Sequence, residues 1–129
     1  MSFFKKKEIK IEDKETKIKD FNSLRLCKYK DGNRLWVNVD AAIRNGCLLI
    51  SGQDLGDQVS EWYDDSDYEY WYSFDIENTK LLIAKLSEQK STSSVKKLLS
   101  DNFSGLEGCS NLRSFCKEFG IKYDYSSYI

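Results

Sequence analysis

The stretch Asp31-Gly32-Asn33-Arg34-Leu35-Trp36-Val37-Asn38-Val39-Asp40-Ala41-Ala42-Ile43-Arg44-Asn45-Gly46 decides the fold class. Its middle alternates, with Leu35, Val37, Val39 and Ala41 on one side of an extended chain and Trp36 and Asn38 on the other. Both ends are tight turns. Asp31-Gly32-Asn33 places a glycine where a hairpin needs positive φ, and Asn45-Gly46 is the strongest two-residue hairpin signal in the chain. An extended segment closed by a hairpin turn at each end needs an antiparallel neighbour on both sides. Ser23 to Lys30 and Cys47 to Ser51 supply them, so the stretch predicts a three-stranded meander with Arg34 to Ile43 in the centre.

Downstream, Gly52-Gln53-Asp54-Leu55-Gly56-Asp57 reads as a turn-rich connection shaped by its two glycines. Leu55, Val59 and Trp62 have the spacing of a short helix capped by Asp57. Asp64-Asp65-Ser66-Asp67 reads as a loop, and Tyr68 to Phe74 as a fourth strand. Tyr68, Tyr70, Tyr72 and Phe74 share one face of that strand, while Glu69, Trp71 and Ser73 share the other. The period then changes. Asp75 caps a helix carrying Leu81, Leu82 and Leu86; Ser91 to Ser94 lead into a second with Val95, Leu98 and Leu99, ending near Asn102. Ser110 is placed to cap a third helix with Leu112, Phe115, Cys116 and Phe119 on one face, and Gly120 suits the left-handed position after it. Ile121, Tyr123 and Tyr125 alternate as a last short strand.

Strands first and helices later predict an α+β fold: a mostly antiparallel sheet, a meander of about four or five strands, with helices from the C-terminal half packed on one face. A chain of 129 residues has room for one core. Residues 1–20, mixed in charge and sparse in apolar residues, form a basic N-terminal arm, and residues 21–129 form a single domain.

The net charge of −1 conceals a segregation. Residues 1–30 hold ten basic and five acidic side chains, whereas residues 45–79 hold nine acids and no lysine or arginine. Single-signed fields of this kind steer and select what approaches a protein. The chain has no histidine, which removes the commonest general base and the His-activated Ser and Cys nucleophiles. Cys27, Cys47, Cys109 and Cys116 form no Cys-x-x-Cys pair and are expected as buried free thiols, with no metal site and no cofactor. The basic run Lys5-Lys6-Lys7 is not followed by the ~7–15 apolar residues of a secretory signal, and no run approaches the ~18–20 of a membrane span. The expected compartment is the cytoplasm, without membrane attachment.

Three chemistries have partial signals in the sequence. Asp65, Asp67 and Glu69 alternate like the first ligands of an EF-hand loop, but Tyr70 stands where that loop needs glycine and Ile76 where it needs glutamate. Ser51 to Gly56 lacks the lysine of a phosphate-binding loop and sets Asp54 where phosphate would approach. Direct nucleic-acid binding is disfavoured because the aromatic strand lies inside the acidic window. No catalytic residue is assigned. The acidic window also concentrates aromatics: Trp62, Tyr63, Tyr68, Tyr70, Trp71, Tyr72 and Phe74. Rigid aromatics anchor interfaces at low entropic cost, and carboxylates around them speed the approach of a basic partner.

Ser51 to Gly56, together with Asp65-Ser66-Asp67-Tyr68-Glu69-Tyr70-Trp71-Tyr72, resembles small bacterial α+β proteins of the toxin-immunity and phage-inhibitor kind over roughly residues 24–125. The resemblance implies a non-enzymatic inhibitor and carries no site residue across. Our expectation is a stoichiometric inhibitor, immunity-type or phage-encoded and anti-defence. It would occlude a basic site on a partner protein, such as a nuclease or another nucleic-acid-handling enzyme. The candidate partner-binding residues are Trp62, Tyr63, Asp64, Asp65, Asp67, Glu69 and Trp71. The alternative is a small-ligand-binding protein or enzyme with a carboxylate-lined pocket near Asp54 and Glu61; a third reading has Trp36 and Trp71 forming a self-association surface.

Overall fold

The turn at Asn45-Gly46 shows why the first half of the chain folds as it does. Both residues adopt positive φ, 54° and 78°, the pairing a right-twisted two-residue hairpin requires. The carboxylate of Asp20 accepts from both of their backbone amides, at 2.6 Å from Asn45 and 3.1 Å from Gly46. The predicted basic arm is therefore tied to the sheet at its last residue. These features come from a computed structural model that describes residues 18–63, 66–89 and 93–128, so most of the predicted arm, residues 1–17, lies outside the described residues.

Strands β1 (Phe21–Asp31), β2 (Leu35–Arg44) and β3 (Cys47–Leu55) form the expected antiparallel meander. The register of β1 shifts twice against β2, between Phe21 and Leu24 and between Arg25 and Cys27. At the second shift the Leu26 carbonyl accepts from the Gly105 amide, at 2.9 Å. Strand β3 runs four residues beyond the predicted end at Ser51, which corrects the reading of Gly52 as a turn residue. Gly52 sits mid-strand because the ring of Tyr70 lies against it: a Cβ there would come 2.1 Å from Tyr70 Cε2. The break falls at Gly56, with φ 116°, which begins helix α1 (Asp57–Trp62) without a side-chain cap; Asp57 is the first helical residue and not the cap. Two amides of α1 donate to the preceding hairpin, Asp57 to the Asn33 carbonyl at 3.1 Å and Gln58 to the Arg34 carbonyl at 2.9 Å. Of the predicted helical face, Leu55 ends β3, Val59 is fully buried and Trp62 is exposed.

Strand β4 (Asp67–Ser73) pairs with β3, and β5 (Asp124–Tyr128) pairs with β4, completing the antiparallel order β1-β2-β3-β4-β5. Ile121 and Tyr123 precede β5 and do not belong to it, and every residue of β5 is exposed. Helices α2 (Ile76–Ser87), α3 (Val95–Phe103) and α4 (Gly108–Phe119) follow β4, giving five strands and four helices among the described residues, an α+β fold. Asp75 caps α2 by accepting from the Asn78 amide at 2.8 Å, and Ser94 caps α3 by accepting from the Lys97 amide at 3.2 Å. Helix α4 starts at Gly108, two residues before the predicted Ser110 cap. Gly108 packs so closely on the end of α3 that a Cβ would lie 2.0 Å from the Phe103 carbonyl oxygen. Gly120, with φ 66°, closes α4 in the left-handed conformation as expected.

The core lies between the sheet and α2 to α4. Val39, Ala41, Ile43, Leu48 and Ile50 come from the strands, and Leu82, Leu99, Leu112 and Cys116 come from the helices. Thr79, on α2, is the buried polar residue of this layer, and its hydroxyl accepts from the Leu48 amide at 2.9 Å. All four cysteines are free thiols, with Cys27 and Cys116 buried and Cys47 and Cys109 half-buried. Among the described residues no helix is long and apolar enough to cross a membrane.

Candidate functional site

Alternation in β4 sorts its aromatics onto two surfaces. Tyr70, Tyr72 and the following Phe74 are buried, and the half-buried Tyr68 packs against the same core. Their rings form a ladder: Tyr63 stacks on Tyr68 at 4.5 Å between centroids, Tyr68 meets Tyr70 at 5.6 Å, and Tyr72 meets Tyr125 edge-on at 5.0 Å. Each buried hydroxyl has a partner. Tyr70 donates to Asp54 at 3.0 Å, Arg113 donates to the Tyr72 oxygen at 2.6 Å, and the hydroxyls of Tyr68 and Tyr125 lie 2.8 Å apart.

Burial holds the Asp54 carboxyl above its ordinary range, a shift the Tyr70 hydrogen bond opposes. Burial, reinforced by the Asp54 charge, raises the Tyr70 phenol. Burial also pushes the thiols of Cys109 and Cys116 up to about 11, so both stay protonated at neutral pH and neither is an activated nucleophile. Asp54 thus belongs to the tyrosine network, while Glu61 stands exposed on α1.

The other surface is the face of the sheet turned away from α2 to α4. Every described side chain on it is half-buried or exposed. Register sets the neighbours. One row runs Arg25, Asp40, Ser51, Trp71 and Ser126; the next runs Lys28, Asn38, Gln53, Glu69 and Tyr128. A third joins Lys30, Trp36, Leu55 and Asp67. The face is therefore graded, basic along β1 and acidic along β4. Two of the β1 cations are already engaged. Arg25 Nε is 2.7 Å from Asp40 Oδ1, and Lys30 Nζ sits 4.3 Å from the centre of the Trp36 ring. The Trp36 indole N–H donates to the Gly32 carbonyl. Between β2 and β4 the face dips into a hollow of about 200 Å³ lined by Asn38, Asp40, Ser51, Gln53, Glu69 and Trp71.

Of the candidate partner-binding residues, Asp67, Glu69 and Trp71 lie together on this open face. Asp67 accepts from Gln53 Nε2 at 3.2 Å. Trp62 is exposed at the end of α1, and Tyr63 stacks on Tyr68, whose face of β4 is the helix-covered one. Asp64 and Asp65 lie outside the described residues, so the calcium-like run is described only at Asp67 and Glu69. Among the described residues no three His, Cys, Asp or Glu side chains converge as a metal site. Sequence reasoning missed that Asn38, Asp40 and Gln53 line one hollow with Trp71. The available signal was the strand period: each occupies the polar side of its strand. No protein-family model matches the chain, and neither a curated protein nor a solved structure matches it.

Proposed function

We propose that the chain is a stoichiometric protein-binding inhibitor that uses the acidic, aromatic part of its open sheet face to cover a basic site on a partner. The observation that carries this reading is Trp71, half-exposed beside Glu69 and Asp67 on a sheet face that α2 to α4 leave uncovered. A large aromatic held on a rigid strand loses little entropy on docking, and flanking carboxylates select a basic counterpart. A basic nucleic-acid channel, as in a nuclease or another nucleic-acid-handling enzyme, is the partner chemistry that fits. Immunity to a toxin, or phage-encoded suppression of a cytoplasmic defence enzyme, is the biological role that goes with it.

The small-ligand alternative rests on Asp54 and its raised carboxyl. Its Tyr70 partner and the exposed position of Glu61 favour the docking reading. The test is capture of a partner from native lysate by the wild-type chain and by a folded Asp67→Lys/Glu69→Lys variant, with the interface mapped by hydrogen exchange. A stoichiometric basic partner that is lost with the variant, and a footprint on β3 and β4, is expected. A footprint elsewhere, or undiminished capture by the variant, overturns it.

A further inference from the structure

The hollow on the open face has a chemistry narrower than that of the face as a whole. At about 200 Å³ it is smaller than the sites that take drug-sized ligands, and its size suits a single side chain. Its walls bring two carboxylates, Asp40 and Glu69, the amides of Asn38 and Gln53, the Ser51 hydroxyl and the Trp71 indole, with no cation among them. An anionic or apolar group gains little there.

The molecule's own cations show what such walls hold. On the β2 side, the Arg25 guanidinium donates from Nε to Asp40 Oδ1 at 2.7 Å and from Nη1 to Asn38 Oδ1 at 3.4 Å. Across the face, Lys30 sits over the ring of Trp36. The β4 side repeats both elements, a carboxylate at Glu69 and an indole at Trp71, and among the described residues neither has a cation against it. Gln53, on β3, lies directly across from Glu69. One of its amide N–H groups donates to Asp67, at 3.2 Å, and its amide oxygen is an acceptor.

We infer that this hollow receives one arginine side chain from the partner, stacked on Trp71 with Glu69 as counter-charge and the Gln53 oxygen as a further acceptor. Arginine fits better than lysine because a planar guanidinium stacks on an indole and forks onto a carboxylate at once. The inference rests on the reading of this face as the docking surface.

The probe is a capped Gly-Arg-Gly peptide titrated at low ionic strength into the isotope-labelled full chain, with Gly-Lys-Gly and the neutral Gly-citrulline-Gly in parallel. Saturable shifts at the Trp71 indole and the Glu69 amide are expected with arginine, weaker ones with lysine and none with citrulline. Affinity should fall about fivefold in Glu69→Gln and in Trp71→Leu, each confirmed folded by its unshifted core resonances. No saturable shift, equal shifts with citrulline, or undiminished binding by Glu69→Gln overturns the inference. If arginine fails to bind while partner capture is still lost in Asp67→Lys/Glu69→Lys, the hollow is wrong and the docking face stands. If arginine binds while the charge-reversed chain still captures the partner, the docking face is wrong.

Discussion

Tyr72 and Trp71 are neighbours in one strand and live in different surroundings. Tyr72 is 2% exposed, packed on Tyr123 and Tyr125 with its hydroxyl held by Arg113. Trp71 stands half-buried across the sheet from Ser51 and Ser126, on the wall of a hollow. The same alternation runs the length of β4, so one strand supplies both the most aromatic part of the core and an indole on the open face. The difference teaches where each kind of energy lies. Inside, rings and hydroxyls are matched to one another and contribute to folding. Outside, the sheet holds an indole and carboxylates in place where, on the proposed reading, they meet a partner.

The widest gap should appear between those two neighbours. Tyr72→Ala should destabilise the protein by about 3–5 kcal/mol and Trp71→Ala by about 1 kcal/mol, read from urea unfolding midpoints. Equal losses would break the comparison. Next comes Gly52→Ala, whose new methyl group collides with the Tyr70 ring and should cost about 1–3 kcal/mol. Adding Tyr70→Leu should recover part of that loss, as double-mutant unfolding would show. Thr79→Val keeps the shape of the side chain but orphans the Leu48 amide, at about 1–3 kcal/mol, with faster hydrogen exchange at Leu48.

The smallest effects come from charge. The folded state holds the Asp54 proton more tightly than the unfolded chain does. Stability should therefore fall as pH rises from the ordinary aspartate value of 3.8 through the raised one. Asp54→Asn should flatten that part of the profile. Reversing Asp64, Asp65 and Asp67 to lysine should move the unfolding midpoint by about 0.5 kcal/mol or less while slowing association with a basic partner at low salt.

Much of this was legible because local signals agreed with one another. The Asp31-Gly32-Asn33 and Asn45-Gly46 turns fixed the meander, Asp75 and Ser94 marked helix starts, and the even-numbered aromatics of β4 pointed inward as their period required. What stayed hidden depended on contacts distant in sequence. Gly52 looked like a turn residue because a glycine needed for space is indistinguishable, locally, from one needed for its φ, and the ring that demands the space is Tyr70. Ser110 is the local exception: it has the residue type of a cap, and residue type does not show the tight corner, five residues long, that brings Gly108 against Phe103. The acidic window is continuous along the chain, but strand pairing brings the basic side of β1 onto the same face. Asp40 and Asn38, two strands from Trp71, come to line the same hollow by register, and composition carries no register.

The two rims of the sheet are also unlike. Strand β1 is interrupted twice, carries lysines, and has a backbone carbonyl engaged by Gly105, all of which blunt it against another strand. Strand β5 is regular, free of lysine and proline, and exposed throughout, with no strand beyond it among the described residues. A molecule with one receptive rim can join a second strand there once and then presents only blunted rims. Were two copies to pair strand to strand at β5, the described rims left over would both be β1, so the contact would close at a pair instead of running on into a fibre.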